Sequence, residues 1–112
     1  MTSLRAGDIV WIDLDPVVGM EQGGRRPVIV LTDTDFNARD HRSVICPITQ
    51  NVSPWPTKVF LPERMKTRGA ILTDQVRSVH RDLRGFQFIE HAPDDVLANV
   101  RAVVGAILGI TA

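Results

Sequence analysis

A single cysteine, Cys46, stands in 112 residues, so no internal disulfide can form. Its setting, VICPIT, is that of a small buried residue in a reducing compartment. Nothing basic beside it marks it as a nucleophile. No apolar run reaches the length of a membrane-spanning helix. The opening stretch MTSLRAGDIVW has no hydrophobic region of the secretory kind. The expectation is a cytoplasmic chain with no membrane association. Internal repeats, low-complexity tracts and linkers are also missing, so residues 1–112 read as one domain. That length supports one hydrophobic core without staples. Net charge is zero, which argues against a nucleic-acid binder held by bulk charge. His41, His80 and His91 show no metal-ligand spacing and read as surface or hydrogen-bonded residues. No metal and no cofactor is expected.

What is present is arginine. Eleven of the thirteen basic residues are arginine, and the basic residues cluster at 25–26, 64–68 and 77–84. The guanidinium fork suits phosphate and base stacking better than an ammonium does. A basic face on a neutral protein is therefore compatible with this composition.

The pattern is many short strands followed by one helix. DIVWIDL alternates, with Val10, Ile12 and Leu14 on one face and Ile9 and Trp11 on the other. Trp11 reads as core or dimer packing. A long loop, 15–26, follows. VIVL (28–31) is apolar on both faces and reads as a central buried strand. TDTDFNARD makes a turn or one short helix. SVICPIT (43–49) is a third strand, broken by the prolines of QNVSPWPT. KVFL (58–61) alternates and stops at Pro62. GAILTDQVRSV (69–79) is one strand kinked near Thr73–Asp74, or two strands. GFQFI (85–89) places Phe86 and Phe88 on one face. Pro93 then suits the first position of a helix, with Asp94 and Asp95 at its positive end. Val96, Leu97, Val100, Val103, Val104, Ile107 and Leu108 form a one-sided stripe that should pack on the sheet. A small, strongly curved antiparallel sheet or open barrel follows.

The loop GMEQGGRRP (19–27) is richer than a turn requires. Its three glycines let the main chain approach a ligand. Two adjacent arginines can hold an anion through several hydrogen bonds. Its one carboxylate, Glu21, can take a proton. A surface hairpin loop with incidental charges would look much the same.

Four segments stand in order along the chain: GDIVWIDLDP (7–16), GMEQGGRRPVIVL (19–31), CPITQ (46–50) and ILTDQVRSV (71–79). Together they resemble the MazF/PemK (Kid) toxins of bacterial toxin–antitoxin pairs, over nearly the whole chain. The resemblance implies a mainly β fold with short helices. This is an SH3-like barrel of the CcdB/MazF/PemK type, with a C-terminal helix packed on the sheet. It implies a homodimer that cuts single-stranded RNA at defined sequences, without metal, leaving 2′,3′-cyclic phosphate and 5′-OH ends and arresting translation and growth. It also implies an antitoxin whose acidic, disordered tail lies across the toxin.

The residue types fit such chemistry. When the ribose 2′-OH attacks its own phosphate, the enzyme needs a base, charge stabilisation at phosphorus and a proton for the leaving oxygen. By the resemblance, Glu21 is the base, Arg26 forks the scissile phosphate and Thr49 donates its hydroxyl to a phosphate oxygen. Arg25, Gln22 and Arg77 are RNA-contact candidates. Asp74 and Gln75 either contact RNA or order the strand kink. Trp55, between two prolines, either stacks on a base or covers an edge. Kid-like members carry a histidine where this chain has Met20 and an arginine where it has Leu72, so their acid–base scheme cannot run here unchanged. A non-enzymatic gyrase poison of the CcdB type is the rival on the same fold, but such chains lack the Glu–Arg-Pro loop. An inert interaction module is a second rival, against which Glu21, Arg26 and Thr49 stand together.

Overall fold

The computed structural model describes residues 4–15, 19 and 23–110. Its strands are β1 (Asp8–Asp13), β2 (Arg25–Val30), β3 (Arg42–Thr49), β4 (Lys58–Phe60), β5 (Ala70–Leu72), β6 (Arg77–His80) and β7 (Gln87–His91). The helices are α1 (Thr34–Arg39), α2 (Arg81–Arg84) and α3 (Asp94–Leu108), with a 3-10 turn at Thr73–Gln75. The sheet order is β4-β5-β3-β2-β1-β7, with β6 also on β3, and every pairing is antiparallel. β3 pairs with β6 over its first half and with β5 at its end. One strand serving two partners in succession requires the sheet to curve. This is the strongly curved, mainly β architecture the resemblance implies.

Period-two alternation in β1, β2 and β3 feeds two hydrophobic clusters rather than one. Ile9 pairs with Ile29, and Ile29 with Cys46, all in one cluster. Val10 pairs with Val28, and Val30 with Ile45, all in the other. Both faces of these strands are therefore covered, which is why VIVL is apolar throughout. The first cluster is closed by α3 through Val96, Val100 and Val104, spaced by four residues. Each buried valine contributes about 1.5–3 kcal/mol of apolar transfer.

Several details depart from the sequence reading. Helix α3 starts at Asp94 with Pro93 as its N-cap, so the proline stands just before the first turn rather than in it. The apolar stripe runs off the sheet in the last turn, leaving Ile107 and Leu108 exposed. The kinked segment is two strands joined by the 3-10 turn. The strand expected at 85–89 lies at Gln87–His91, with Phe86 and Phe88 exposed. Trp11 is not core: it is 39% exposed. Helix α2 has no counterpart in the sequence pattern. The His80 ring accepts the Leu83 amide at its start, and Gly85 ends it in the left-handed conformation, φ 62°. No helix among the described residues is long and apolar enough to cross a membrane.

Candidate active site

Strands β1 and β2 set Trp11 opposite Pro27, Ile12 opposite Arg26 and Asp13 opposite Arg25. The two arginines thus project from the end of a strand whose other half, Val28 to Val30, is fully buried. Burial at one end fixes the register, and register fixes where the cations emerge. Arg26 is half-buried and donates from Nε to the Gly23 carbonyl at 2.9 Å. Its terminal amines have no bonded partner among the described residues. Arg25 donates to the Gly85 carbonyl (3.0 Å) and to Gln87 Oε1 (3.3 Å), so part of its fork holds the β7 side of the sheet.

Both arginines line a cavity of about 500 Å³. Lys66 and Arg68 line it as well, from the segment between β4 and β5. Trp11, Pro27, Ile48 and Ile89 give it apolar walls, and Gln50 and Thr67 add polar atoms. Four cations and no carboxylate face this space among the described residues. Such a concavity is built for a polyanion carrying flat apolar groups.

The segment with Lys66 and Arg68 is fixed by one carboxylate. Glu90, on β7, accepts the Lys66 amide (3.2 Å), the Thr67 amide (2.7 Å) and the Thr67 hydroxyl (2.6 Å). Burial pushes the Glu90 carboxyl up, but the Thr67 bonds, the Lys66 amide and the Lys66 charge outweigh it, and its pKa lies below the usual value. Met65 is buried as a second anchor. Gly69 closes the segment at φ +120°, where a Cβ would lie 2.0 Å from the Thr49 carbonyl oxygen. Only glycine allows that approach.

Thr49 ends β3, buried, opposite Ala70. Its Oγ1 accepts the Asn51 amide at 3.1 Å, which leaves the hydroxyl hydrogen free to donate. β3 runs antiparallel to β2 with Pro47 opposite Val28. The β2–β3 ladder ends at that pair, and Thr49 does not line the cavity, whereas its neighbours Ile48 and Gln50 do.

Glu21, Gln22 and Met20 lie outside the described residues. The base of their loop is tied on both sides. Leu14 N–H reaches the Gly24 carbonyl (2.9 Å), and Gly24 N–H reaches Asp15 Oδ1 (2.8 Å). Arg84 donates to the carbonyls of Asp13 and Asp15.

Asp74, Gln75, Arg77 and Trp55 do not line the cavity. Asp74 is exposed in the 3-10 turn, beside a half-buried Gln75. Arg77 pairs with Ile45 in the ladder. Trp55 is 61% exposed in a loop pinned by Lys58 Nζ to the carbonyls of Asn51 and Ser53, both at 2.8 Å. Leu72, at the position where Kid-like members carry arginine, is buried in β5. Sequence reasoning missed Lys66, Arg68 and Gln50 as site residues. The alternating cations of RMKTR were the available signal. Cys46 is buried, and burial together with the Asp74 charge pushes its thiol up to about 12. It is no nucleophile at neutral pH.

Residues 5–108 match the family model described as PemK-like, MazF-like toxin of type II toxin-antitoxin system. The endoribonuclease toxin MazF of Escherichia coli K12 is 30% identical over 103 residues, covering 92% of each chain. The crystal structure of MazF (Form-I) from Deinococcus radiodurans superposes with a TM-score of 0.91 at 37% identity, covering 96% of this chain and 97% of that one. MazF in a MazE–MazF crystal structure from the same organism gives 0.85 at 32% identity, over 97% and 98% of the two chains. Matched from β1 to the end of α3, the chain belongs to the PemK-like, MazF-like toxin family of type II toxin–antitoxin systems.

Proposed function

We propose that this toxin endoribonuclease cuts single-stranded RNA at defined sequences by intramolecular transesterification, without a metal ion. The cavity's charge carries the reading: four cations, no described carboxylate and a tryptophan wall suit an unpaired strand. The ribose 2′-oxygen attacks the adjacent phosphorus. Its proton passes to Glu21, a P–O2′ bond forms, and the P–O5′ bond breaks as the 5′-oxygen takes up a proton. The products are a 2′,3′-cyclic phosphate and a 5′-OH. Arg26, with Nε held by Gly23, offers its terminal amines to the charge that grows on the phosphoryl oxygens. By the family resemblance, the Thr49 hydroxyl donates to the same group. Arg25, Lys66 and Arg68 hold the flanking phosphates, and Trp11 packs against a base or sugar. Asp74, Gln75, Arg77 and Trp55 serve RNA contacts beyond the cavity, and Gln22 is a further RNA contact.

The acting unit is a homodimer in the cytoplasm, and its growth arrest is relieved by an antitoxin. Phe86 and Phe88, 40% and 57% exposed at the β7 edge, supply apolar surface for a second copy. The MazE–MazF complex of the Deinococcus relative supports an antitoxin partner. An acidic disordered tail would complement the cationic cavity, folding as it binds.

The test is digestion of a long RNA of known sequence in excess chelator, with every new end mapped. Cuts at one recurring motif, bearing 5′-OH ends that resist a 5′-phosphate-dependent exonuclease, are expected. Activity abolished by chelation and restored by magnesium would refute the metal-free chemistry.

A further inference from the structure

The fold gathers His41, His80 and Asp82 on one edge, although the three lie up to 41 residues apart in sequence. A ring nitrogen of each histidine and a carboxylate oxygen of Asp82 all lie within 4.8 Å of one another. We propose that this cluster is a site for a divalent transition metal of the zinc or nickel type.

Three observations support it. First, the donor set is two imidazoles and one carboxylate, which selects borderline metals over magnesium or calcium. Second, His41 Nδ1 and Asp82 Oδ2 are 3.0 Å apart. Two donors each about 2.0–2.1 Å from one metal span such a gap. The two rings are stacked, 2° between planes and 5.4 Å between centroids, so a turn of the exposed His41 ring is needed to bring both in-plane lone pairs onto one ion. His41 and Asp82 are exposed side chains that close the remaining distance by rotation. The amide that His80 Nδ1 accepts from Leu83 is long, 3.4 Å, and easily given up.

Third, the backbone beneath the donors is locked. Arg42 pairs with His80 in the β3–β6 ladder, and Arg81 N–H bonds the His41 carbonyl at 2.9 Å. The Arg81 guanidinium donates to the carbonyls of Asn37, Asp40 and Arg42 and to the Ser43 hydroxyl, at 2.7–2.9 Å. The segment bearing His41 is thereby clamped to the segment bearing His80 and Asp82. Preorganised carriers are what a metal site needs and what a chance surface cluster lacks.

None of the three residues lines the cationic cavity, so the site is distinct from the proposed RNA chemistry and stands whether or not RNA is the substrate. A bound metal would tie α2 to the start of β3. Helix α2 also holds Arg84, which bonds the carbonyls of Asp13 and Asp15 at the base of the loop. Metal uptake would therefore stiffen that anchor.

The test uses the full chain without a purification tag, stripped with chelator. Cobalt titration followed by visible absorption, and zinc titration against a chromogenic chelator, should each show one metal per chain. Zinc and nickel should raise the melting temperature, and magnesium should not. His41→Ala with His80→Ala should abolish uptake, and Asp82→Asn should weaken it by about 10–100-fold. His91→Ala, at the third histidine, should leave it unchanged. Circular dichroism on each variant checks folding, and Asp82→Asn serves should the double variant fail to fold. No uptake by the wild type, or uptake unchanged in Asp82→Asn and the double variant, would overturn the proposal.

Discussion

The cavity has two cationic walls built in different ways. One is the end of a ladder: Arg25 and Arg26 continue β2, whose register is set by Val28, Ile29 and Val30 in two hydrophobic clusters. The other is the segment with Lys66 and Arg68, which belongs to no strand and rests on Glu90, Met65 and Gly69. Displacing the first wall means breaking the sheet. Displacing the second means losing one carboxylate or one glycine. Chemistry assigned to Arg26 thus sits on the rigid wall, and strand-holding on the adjustable one.

The largest effect expected from breaking this arrangement is at Gly69. In Gly69→Ala the new carbon meets the Thr49 carbonyl at 2.0 Å in a conformation side chains avoid. A loss of about 3 kcal/mol or more follows, lowering the melting temperature by roughly 10–20 °C. A melt within a few degrees of wild type would show that the segment gives way easily.

Next comes the rigid wall. Arg26→Ala should slow single-turnover cleavage by about 10²–10³-fold, with RNA affinity falling far less. Arg26→Lys should rescue poorly, because a point charge lacks the fork. Glu21→Gln should bind RNA as well as wild type and cleave slowly. A folded Glu21→Gln protein with wild-type rates would remove that carboxylate from the mechanism.

The adjustable wall should act on binding. Lys66→Ala with Arg68→Ala should raise KM and leave kcat near wild type. The salt dependence of RNA binding should flatten, its logarithmic slope falling by about 0.7 for each phosphate no longer neutralised. A kcat effect as large as that of Arg26→Ala would erase the distinction between the walls.

The smallest effect is at Glu90. Its carboxyl is held below the usual value in the folded chain. Its stabilising contribution is therefore complete above the unfolded-state pKa and lost as pH falls through the lower folded value. Wild type should melt above Glu90→Gln at neutral pH, and the gap should close in acid. A gap that widened on acidification would contradict a lowered pKa in the folded chain.

The ladder wall was legible in sequence because it obeys period two: VIVL announced a doubly covered strand, and the arginines adjoin it. The other wall was not, because its order comes from Glu90, more than twenty residues away, and from a glycine whose need for φ +120° leaves no local trace. Helix α2 escaped for a related reason. Four residues, RDLR, carry no helical period; a left-handed glycine ends the helix and only a long ring-nitrogen bond starts it. The core half of the Trp11 reading fails because alternation shows that a side chain shares a face, not that the face is closed. Glu21, prominent in sequence, lies outside the described residues, so its role rests on the resemblance. The histidines were uninformative in sequence, since spacing along the chain says nothing about which strand edges meet.

Cys46 has a practical consequence. The chain's one native thiol is fully buried and raised to about 12, so near neutral pH it is silent toward maleimides and other thiol reagents. The wild-type chain is thus its own blank for site-directed labelling. A cysteine introduced at an exposed position such as Trp55 would carry the only dye, with no need to mutate the core first. Fluorescence from that single position would report directly whether the proline-flanked loop meets RNA, a second copy or neither.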